Sequence, residues 1–501
     1  LTLNPCLPVK YRSRDWGRII NIKEELMAKS HQVKSTLALF AAGTMLIAGG
    51  CSSGSSADAP PGSVQTFTDS GRLLQAPVKN AKVCADLNKN RICDPTEPFA
   101  QSDANGNFSL TFQGPTTQTY DLISEGGLTL NGAGQDVAAR NMAAPAGAKV
   151  MSMLTTVELM TPAGAQRDSL VAQLNALAGV ADYRTLDFSA AAVPRELMLA
   201  VKTVEEVLGG FSSLGVGSWA QQQVVLQRLG TTIAAAPALT AANIDTALPA
   251  LVDTAAQSAF AFLNDPNLQI TSLNAFGDAM AALATNVAGA IPPGATVTEG
   301  AIQAAVEAAA ATAVQDLGTV VTSQVKLDLA SVILTTNAGP QTWNANALPT
   351  TLTLSSLPLS VSVSGSAINT TGVAKSFSDV LLKLTISDAT KGRSIILSIG
   401  GLTANVAADG SLSLAKGSNA LHVEGLTSSG ALVVFDMAST LWGTASGNSV
   451  TFDLAALNTE LQANGGRDLN TLAASGAYTI SAEVTGAPFV VLTRALNLTI
   501  Q

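Results

Sequence analysis

The chain is 501 residues long, carries a net charge of −9 and has 13% charged and 4% aromatic side chains. That length allows two to four separately cored domains at roughly 100–200 residues each, and the charged share falls well below the about 25% of ordinary globular chains, which leaves surfaces rich in small side chains. With acid in excess over base there is no basic track to follow a phosphate backbone, so nucleic acid is excluded as an expected partner.

Residues 1–26 are read as untranslated upstream sequence, because Lys23-Glu24-Glu25 would be encoded by purine-rich codons, as a ribosome-binding site read in frame would be, just ahead of Met27. From Met27 the chain carries a complete export signal: Lys29 and Lys34 form a positive n-region, and no charge appears from Ser35 to Gly50. That run is shorter than the about 20 residues of a membrane-spanning helix and has the length of a signal-peptide h-region. Residues 27–50 are therefore the expected signal peptide, and "LIAGGC", with Ala48, Gly49 and Gly50 ahead of Cys51, resembles the lipobox of bacterial lipoproteins. The resemblance implies that Cys51 becomes the lipidated first residue of the mature chain, although Ala48 stands where such proteins usually carry Leu. Cleavage by an ordinary secretory route, leaving Cys51 a free thiol, is the competing reading. Ser52, in place of the Asp that in such lipoproteins signals inner-membrane retention, implies the outer membrane. Residues 51–63, "CSSGSSADAPPGS", then form a flexible tether with a reach of roughly 20 Å.

The next segment, 64–145, alternates at period two: Phe108, Leu110 and Phe112 share one face, and Asn105-Gly106 supplies the hairpin turn ahead of them. Between 150 and 330 the spacing becomes helical, with Leu170, Leu174 and Leu177 on one face and Ile302, Val306, Ala310, Leu317 and Val321 on another, punctuated by prolines. Such stripes ordinarily form a domain's own core. From 335 to 501 short segments such as "VLLKLTISD", "RSIILSIGG" and "ALVVFDM" return to period two, separated mostly by Gly, Asn or Asp. Aliphatics alternate there with Ser and Thr without aromatic girdles, which favours a sandwich over a transmembrane barrel. The expected fold is a multidomain α+β chain: an N-terminal small β-sandwich, an Ala-rich helical middle region and a C-terminal antiparallel β-sandwich.

Catalytic signals are scarce. Past the signal peptide the only histidine is His422, in "ALHVE", where strand alternation points it toward solvent with Glu424. A Ser-His-Asp triad would have to use it, and a multi-histidine zinc site cannot be built. The one G-x-S-x-G match, "GCSSG", straddles the cleavage site, and no Walker A, dinucleotide or haem motif is present. No catalytic residue is nominated.

The most informative stretch is "VCADLNKNRICDPTEP", residues 83–98. With Asp86 as position 1, Asn88, Asn90, Ile92 (through its carbonyl), Asp94 and Glu97 fall at positions 3, 5, 7, 9 and 12, the ligand register of an EF-hand loop. Three carboxylates facing one dication suit calcium; magnesium prefers a tighter, wetter octahedron, and no soft or imidazole ligand is near for zinc or copper. Position 6, usually Gly, is Arg91, where a left-handed backbone would cost roughly 1–2 kcal/mol. An Asx-rich turn held only by a disulfide is the competing reading. Cys6 falls upstream and Cys51 is the lipidation site, which leaves Cys84 and Cys93 to pair in an oxidising compartment; closing so short a loop contributes ~2.7 kcal/mol on the chain-entropy estimate.

The longer stretch "APVKNAKVCADLNKNRICDPTEPFAQSDANGNFSL" resembles the calcium-loop β-sandwich modules of secreted bacterial proteins, akin to carboxypeptidase-regulatory-like domains and B-type repeats of serine-aspartate surface adhesins. Pro77, Val78, Ala81 and Val83 carry the resemblance before the loop and Asp103, Asn105 and Gly106 after it, and "VMSMLTTVELM" resembles a segment that follows such modules. The resemblance implies a structural or adhesive role without shared catalysis. The expectation is a non-enzymatic cell-envelope lipoprotein with a structural, adhesive or ligand-binding role, held to the membrane through Cys51, with an envelope or surface protein as partner. An accessory lipoprotein for assembly or secretion of another surface component, or a hydrolase whose site lies in the helical or C-terminal part, compete with it.

Cys51→Ala should abolish incorporation of labelled lipid and move the chain from the membrane to the soluble fraction; unchanged labelling and fractionation would refute the lipobox reading.

Overall fold

The computed structural model describes residues 64–186, 193–293, 299–336, 339–344, 351–354, 360–388, 393–426, 432–464, 468–469, 475–490 and 492–500. The expected signal peptide, Cys51 and the tether lie outside the described residues. The chain is mixed α+β, with sheets at both ends of the described sequence and helices between. Among the described residues no helix is long and apolar enough to cross a membrane.

The first strands are β1 (Val64–Leu73), β2 (Lys82–Asp86), β3 (Phe99–Gln101), β4 (Asn107–Pro115), β5 (Asp121–Glu125), β6 (Leu128–Leu130), β7 (Asp136–Ala138), β8 (Met142–Pro145) and β9 (Val150–Met151). They form a β4-β1-β9 sheet, a β3-β2-β5-β8 sheet and a β6-β7 hairpin. In β4 the alternation holds, Phe108, Leu110 and Phe112 being buried and the residues between them exposed. The Asn105-Gly106 turn also forms, but not as the expected hairpin: its flanking strands join different sheets, β3 pairing with β2 and β4 with β1. Gly106 has φ +80°, and a Cβ there would lie 2.8 Å from the Leu73 carbonyl oxygen, so both conformation and space require glycine.

Seven helices follow: α1 (Met153–Met160), α2 (Ala165–Ala178), α3 (Arg195–Ser213), α4 (Trp219–Ala235), α5 (Ile244–Leu263), α6 (Leu273–Ala290) and α7 (Glu299–Val320), with β10 (Leu268–Ile270) between α5 and α6. The expected stripes are largely core: Leu170, Leu174 and Leu177, and Ile302, Val306, Ala310 and Leu317, are all buried, whereas Val321, also placed on the second stripe, lies beyond the helix and is half-buried. Every residue of α1 is buried, and its threonines show how strand meets helix. Ser152 caps the helix by accepting the Thr155 N–H, Thr155 Oγ1 donates to the Ala143 carbonyl (2.9 Å), and Thr156 Oγ1 accepts the Ala143 N–H (2.9 Å). Two backbone groups of β8 that would be buried without partners are thereby satisfied. One contiguous set of buried side chains runs from Leu73 in β1 to Leu317 in α7, so the first strands and the helices share a core.

The helical spacing read to residue 330 in the sequence stops earlier. Helix α7 ends at Val320 and β11 (Val321–Thr336) begins at the next residue, because Val325, Leu327 and Leu329 are buried at period two. The remaining elements are β12 (Gly339–Asn344), β13 (Thr351–Leu354), β14 (Ser360–Asn369), β15 (Lys375–Asp388), β16 (Arg393–Val406), β17 (Leu412–Ala415), β18 (Leu421–Leu426), β19 (Leu432–Met437), β20 (Gly443–Ser446), β21 (Ser449–Asp453), α8 (Leu454–Ala463), β22 (Gly476–Thr485), β23 (Phe489–Val490) and β24 (Leu492–Ile500). They form one sheet in the order β10-β11-β14-β21-β20, with β12 and β23 on β11, and a second in the order β13-β24-β22-β15-β16-β18-β19, with β17 on β16. Side chains of both sheets meet in a second buried cluster that includes Val363, Leu397, Val423 and Phe452. Helix α8 was not expected among these strands. Its Leu454, Leu457 and Leu461 are buried at helical spacing, and Asp453 caps it by accepting the N–H groups of Ala455 (3.0 Å) and Ala456 (2.9 Å).

Thr156→Val should lower stability by about 1–3 kcal/mol in urea unfolding, because it strands the Ala143 N–H inside the shared core, while Thr156→Ser should keep most of it.

Candidate functional site

The loop singled out by the sequence leaves β2 at Asp86 and enters β3 past Glu97. Cys84 and Cys93 are joined by a disulfide, their Cα atoms 5.7 Å apart. Asp86 and Glu97 are buried while the Ile92 side chain is exposed, as suits a residue that would contribute only its carbonyl. Arg91 has φ +66° and Lys89 φ +59°, so the sixth position does turn left-handed without glycine.

Nearly every oxygen of the expected ligand set is engaged within the loop. Asp86 Oδ1 and Oδ2 accept the N–H groups of Asn90 (3.1 Å) and Arg91 (2.8 Å). The side-chain carbonyls of Asn88 and Asn90 accept the backbone N–H two residues on, at 2.9 and 2.8 Å. Glu97 Oε1 and Oε2 accept the N–H groups of Leu87 (2.8 Å) and Asp94 (3.1 Å). The Asn88 and Asn90 amide nitrogens both donate to Asp94 Oδ2, at 2.6 and 2.8 Å. The structure thus brings Asp86, Asn88, Asn90, Asp94 and Glu97 together in one hydrogen-bonded knot, with the Ile92 carbonyl accepting the Asp94 N–H at 3.1 Å. Among the described residues no three Asp, Glu, His or Cys side chains stand ready as a metal-ligand cluster; the Asn amides occupy the position beside Asp94.

The carboxylates feel one another. Burial pushes the Glu97 carboxyl above the usual range, the two backbone N–H groups pull it back, and Asp86 and Asp94 add to the upward shift. Asp121, which sequence reasoning missed, pairs directly across from Asp86 on β5. Burial raises its pKa as well, opposed by Lys89 and reinforced by Asp86.

The loop is also held from outside. Trp219, the first residue of α4, donates its indole N–H to the Arg91 carbonyl at 2.7 Å. Glu125 on β5 accepts the Cys93 N–H through Oε1 (2.9 Å) and the Lys383 ammonium of β15 through Oε2 (3.1 Å). Lys82 reaches the Cys93 carbonyl at 3.5 Å, lies 5.1 Å from the Phe99 ring centre and pairs with Glu424 of β18 at 2.8 Å. For Lys383, burial works against the charge, yet Glu125 and Glu483 hold its pKa up. No local pattern announces Trp219, Lys383 and Glu424, which lie 128, 258 and 342 residues from Arg91, Glu125 and Lys82.

His422 is half-buried rather than solvent-facing. Its Nδ1 lies 2.8 Å from Asp436 Oδ1 on β19, and Ser398 of β16 is its neighbour on the other side. Its Nε2 has no hydrogen-bond partner and stands 3.7 Å from Glu424 Oε1, so this Ser-His-Asp row on the sheet face is not an assembled triad.

No protein-family model, no curated protein and no solved structure matches this chain.

Glu424→Gln should destabilise the chain by about 2–4 kcal/mol, somewhat less than removing one partner of a fully buried pair, because the low-exposure Lys82 ammonium keeps its burial and loses its counter-charge. A double-mutant cycle with Lys82→Met in urea unfolding measures the coupling; a value below about 0.5 kcal/mol would reduce the pair to an ordinary surface contact.

Proposed function

We propose that the chain is a non-enzymatic cell-envelope lipoprotein, anchored to the outer membrane through Cys51, whose loop 86–97 takes a calcium ion and serves as the structural centre of an adhesive or scaffolding body. In this reading the strands of 64–145 are a small calcium-loop β-sandwich, the helices are its partner layer, and the C-terminal sheets form an antiparallel β-sandwich. The observation that carries the proposal is the convergence of five oxygen-bearing side chains and one carbonyl in the expected register, with Asp86 and Glu97 buried and Arg91 in the left-handed conformation.

The donor set fits the ion. Every candidate is a hard oxygen, as calcium prefers, and each carboxylate or amide oxygen that accepts one N–H keeps a second lone pair. Burial and the mutual repulsion of Asp86, Asp94 and Glu97 make the Glu97 charge costly, and a dication would relieve that cost. It would displace the two Asn amide groups from Asp94, with Asn88 and Asn90 turning their oxygens toward it. Competition with those hydrogen bonds, the Arg91 charge and its backbone conformation all point to weak binding, in the ~0.1–1 mM range of extracellular calcium modules.

Calorimetry of the mature chain should therefore show an unfolding transition that rises by a few degrees in excess calcium; a hundredfold excess over Kd corresponds to about 2.7 kcal/mol. Glu97→Gln should remove most of the calcium-dependent difference, whereas Arg91→Gly should enlarge it by relieving both backbone and charge. Unfolding that ignores calcium in the wild type and in Arg91→Gly alike would leave a disulfide-held Asx turn as the better description.

A further inference from the structure

The strands, the helices and the C-terminal sheets meet around a cavity of about 500 Å³, within the roughly 300–1,000 Å³ of small-molecule sites. Its wall includes Arg140 just after β7, Glu206 and Ser212 on α3, Trp219 at the start of α4, Glu307 on α7 and Glu483 on β22. The calcium loop lies behind Trp219, and the cavity does not depend on a metal there.

The wall mixes apolar and polar surface, and some of its polar groups lack partners. Arg140 Nε, Ser212 Oγ and Gln303 Oε1, all from cavity-lining residues, are shielded from bulk solvent without a hydrogen-bond partner. The Arg140 guanidinium and the Glu206 carboxylate converge beside Gly209, where a Cβ would lie 3.2 Å from Arg140 Nη2 and 3.6 Å from Glu206 Oε2. The carboxylates of Glu205, Glu206, Glu307 and Glu483 outnumber the single lining cation Arg140 in this cavity. Glu205 is matched by Lys202 behind the wall at 2.8 Å, the pKa of Glu483 is raised by burial and opposed by Lys383, and Glu307 accepts Gly132 N–H (2.8 Å) and the Gln303 amide (2.7 Å). A roomy, half-open cavity with charged groups in its wall suits a polar guest, and Glu206 and Glu307 against the single cation Arg140 give that guest a positive charge.

We propose that this cavity is a binding site for a small amine-bearing solute, its ammonium facing Glu206 and the acidic wall and its polar remainder facing Arg140 and Ser212. The site's pH response follows from Glu206. Burial raises that carboxyl to about 7, Arg140 and Lys202 oppose the shift, and Glu205 and Glu307 reinforce it. The charged form that attracts an ammonium is therefore lost as the pH falls through 7.

The test is calorimetric titration of the full chain with cadaverine, with glutarate as the anionic counterpart of equal length. Cadaverine should bind saturably at pH 8 with a Kd below about 1 mM, and about tenfold more weakly at pH 6 as Glu206 takes up its proton. Glu206→Gln should weaken binding at least tenfold at pH 8 and flatten the pH dependence; Ser212→Met, which fills part of the cavity from α3, should weaken it without removing that dependence. Without ligand, a carboxylate with a raised folded pKa contributes stability that is present below its unfolded value and lost as the pH rises through 7. Glu206→Gln should therefore melt above the wild type at pH 8 and level with it at pH 4, which shows that the variant is folded. Glutarate binding tighter than cadaverine, no saturable heat with cadaverine at pH 8, or cadaverine binding unchanged in both variants would each overturn the proposal.

Discussion

Glu125 ties the structure together. One carboxylate oxygen holds the Cys93 N–H and the other holds Lys383, 258 residues further along the chain. A parallel link runs from the Cys93 carbonyl through Lys82 to Glu424. Cys93 is thus fixed by its disulfide to Cys84 on β2 and, through both of its backbone polar groups, to two charges of the C-terminal sheet. Ion pairs of such low exposure are sensitive to geometry, since each charge has given up water and relies on its partner. The placement of the loop therefore depends on the placement of the sheet, and the reverse holds equally.

The same economy of polar groups appears where strands meet helices. Ser152, Thr155 and Thr156 bury their hydroxyls completely, and they can do so because the buried outer edge of β8 and the first turn of α1 each have backbone groups in need of partners. Glu158, one turn later, is buried with its carboxylate bonded by the Tyr183 hydroxyl at 2.6 Å and reached by Arg184 at 3.4 Å; burial raises its pKa, against the pull of that hydroxyl and Arg184. These contacts join the first strands and the helices into one core. A boundary drawn between them from composition would cut through that core.

Much of the local structure was legible in the sequence. Alternation at Phe108, Leu110 and Phe112 and helical spacing at Leu170, Leu174 and Leu177 translated directly into burial, because each reports a one-sided element whose period is set by backbone geometry. The spacing of Asp86, Asn88, Asn90, Asp94 and Glu97 reads as a calcium register; the structure brings the same side chains together, bonded to one another and to the loop backbone. Local patterns misled where elements abut without a turn. At the step from α7 to β11 the only glycine, Gly318, lies within the last turn of the helix rather than after it, and α8 is only ten residues long, too brief for its spacing to stand out among strands.

What the sequence determined by itself were the periods, the turns, the cysteine pair and the Asp/Asn/Glu spacing of loop 86–97, all fixed by neighbours within a dozen residues. Tertiary structure alone decided that Asp121 faces Asp86, that Trp219 caps the Arg91 carbonyl, that Lys82 and Lys383 find Glu424 and Glu125, and that Arg140 and Glu206 meet across a cavity. The physical reason is that a hydrogen bond or an ion pair depends on distance in space, and the fold brings together groups whose separation along the chain leaves no trace in either local pattern.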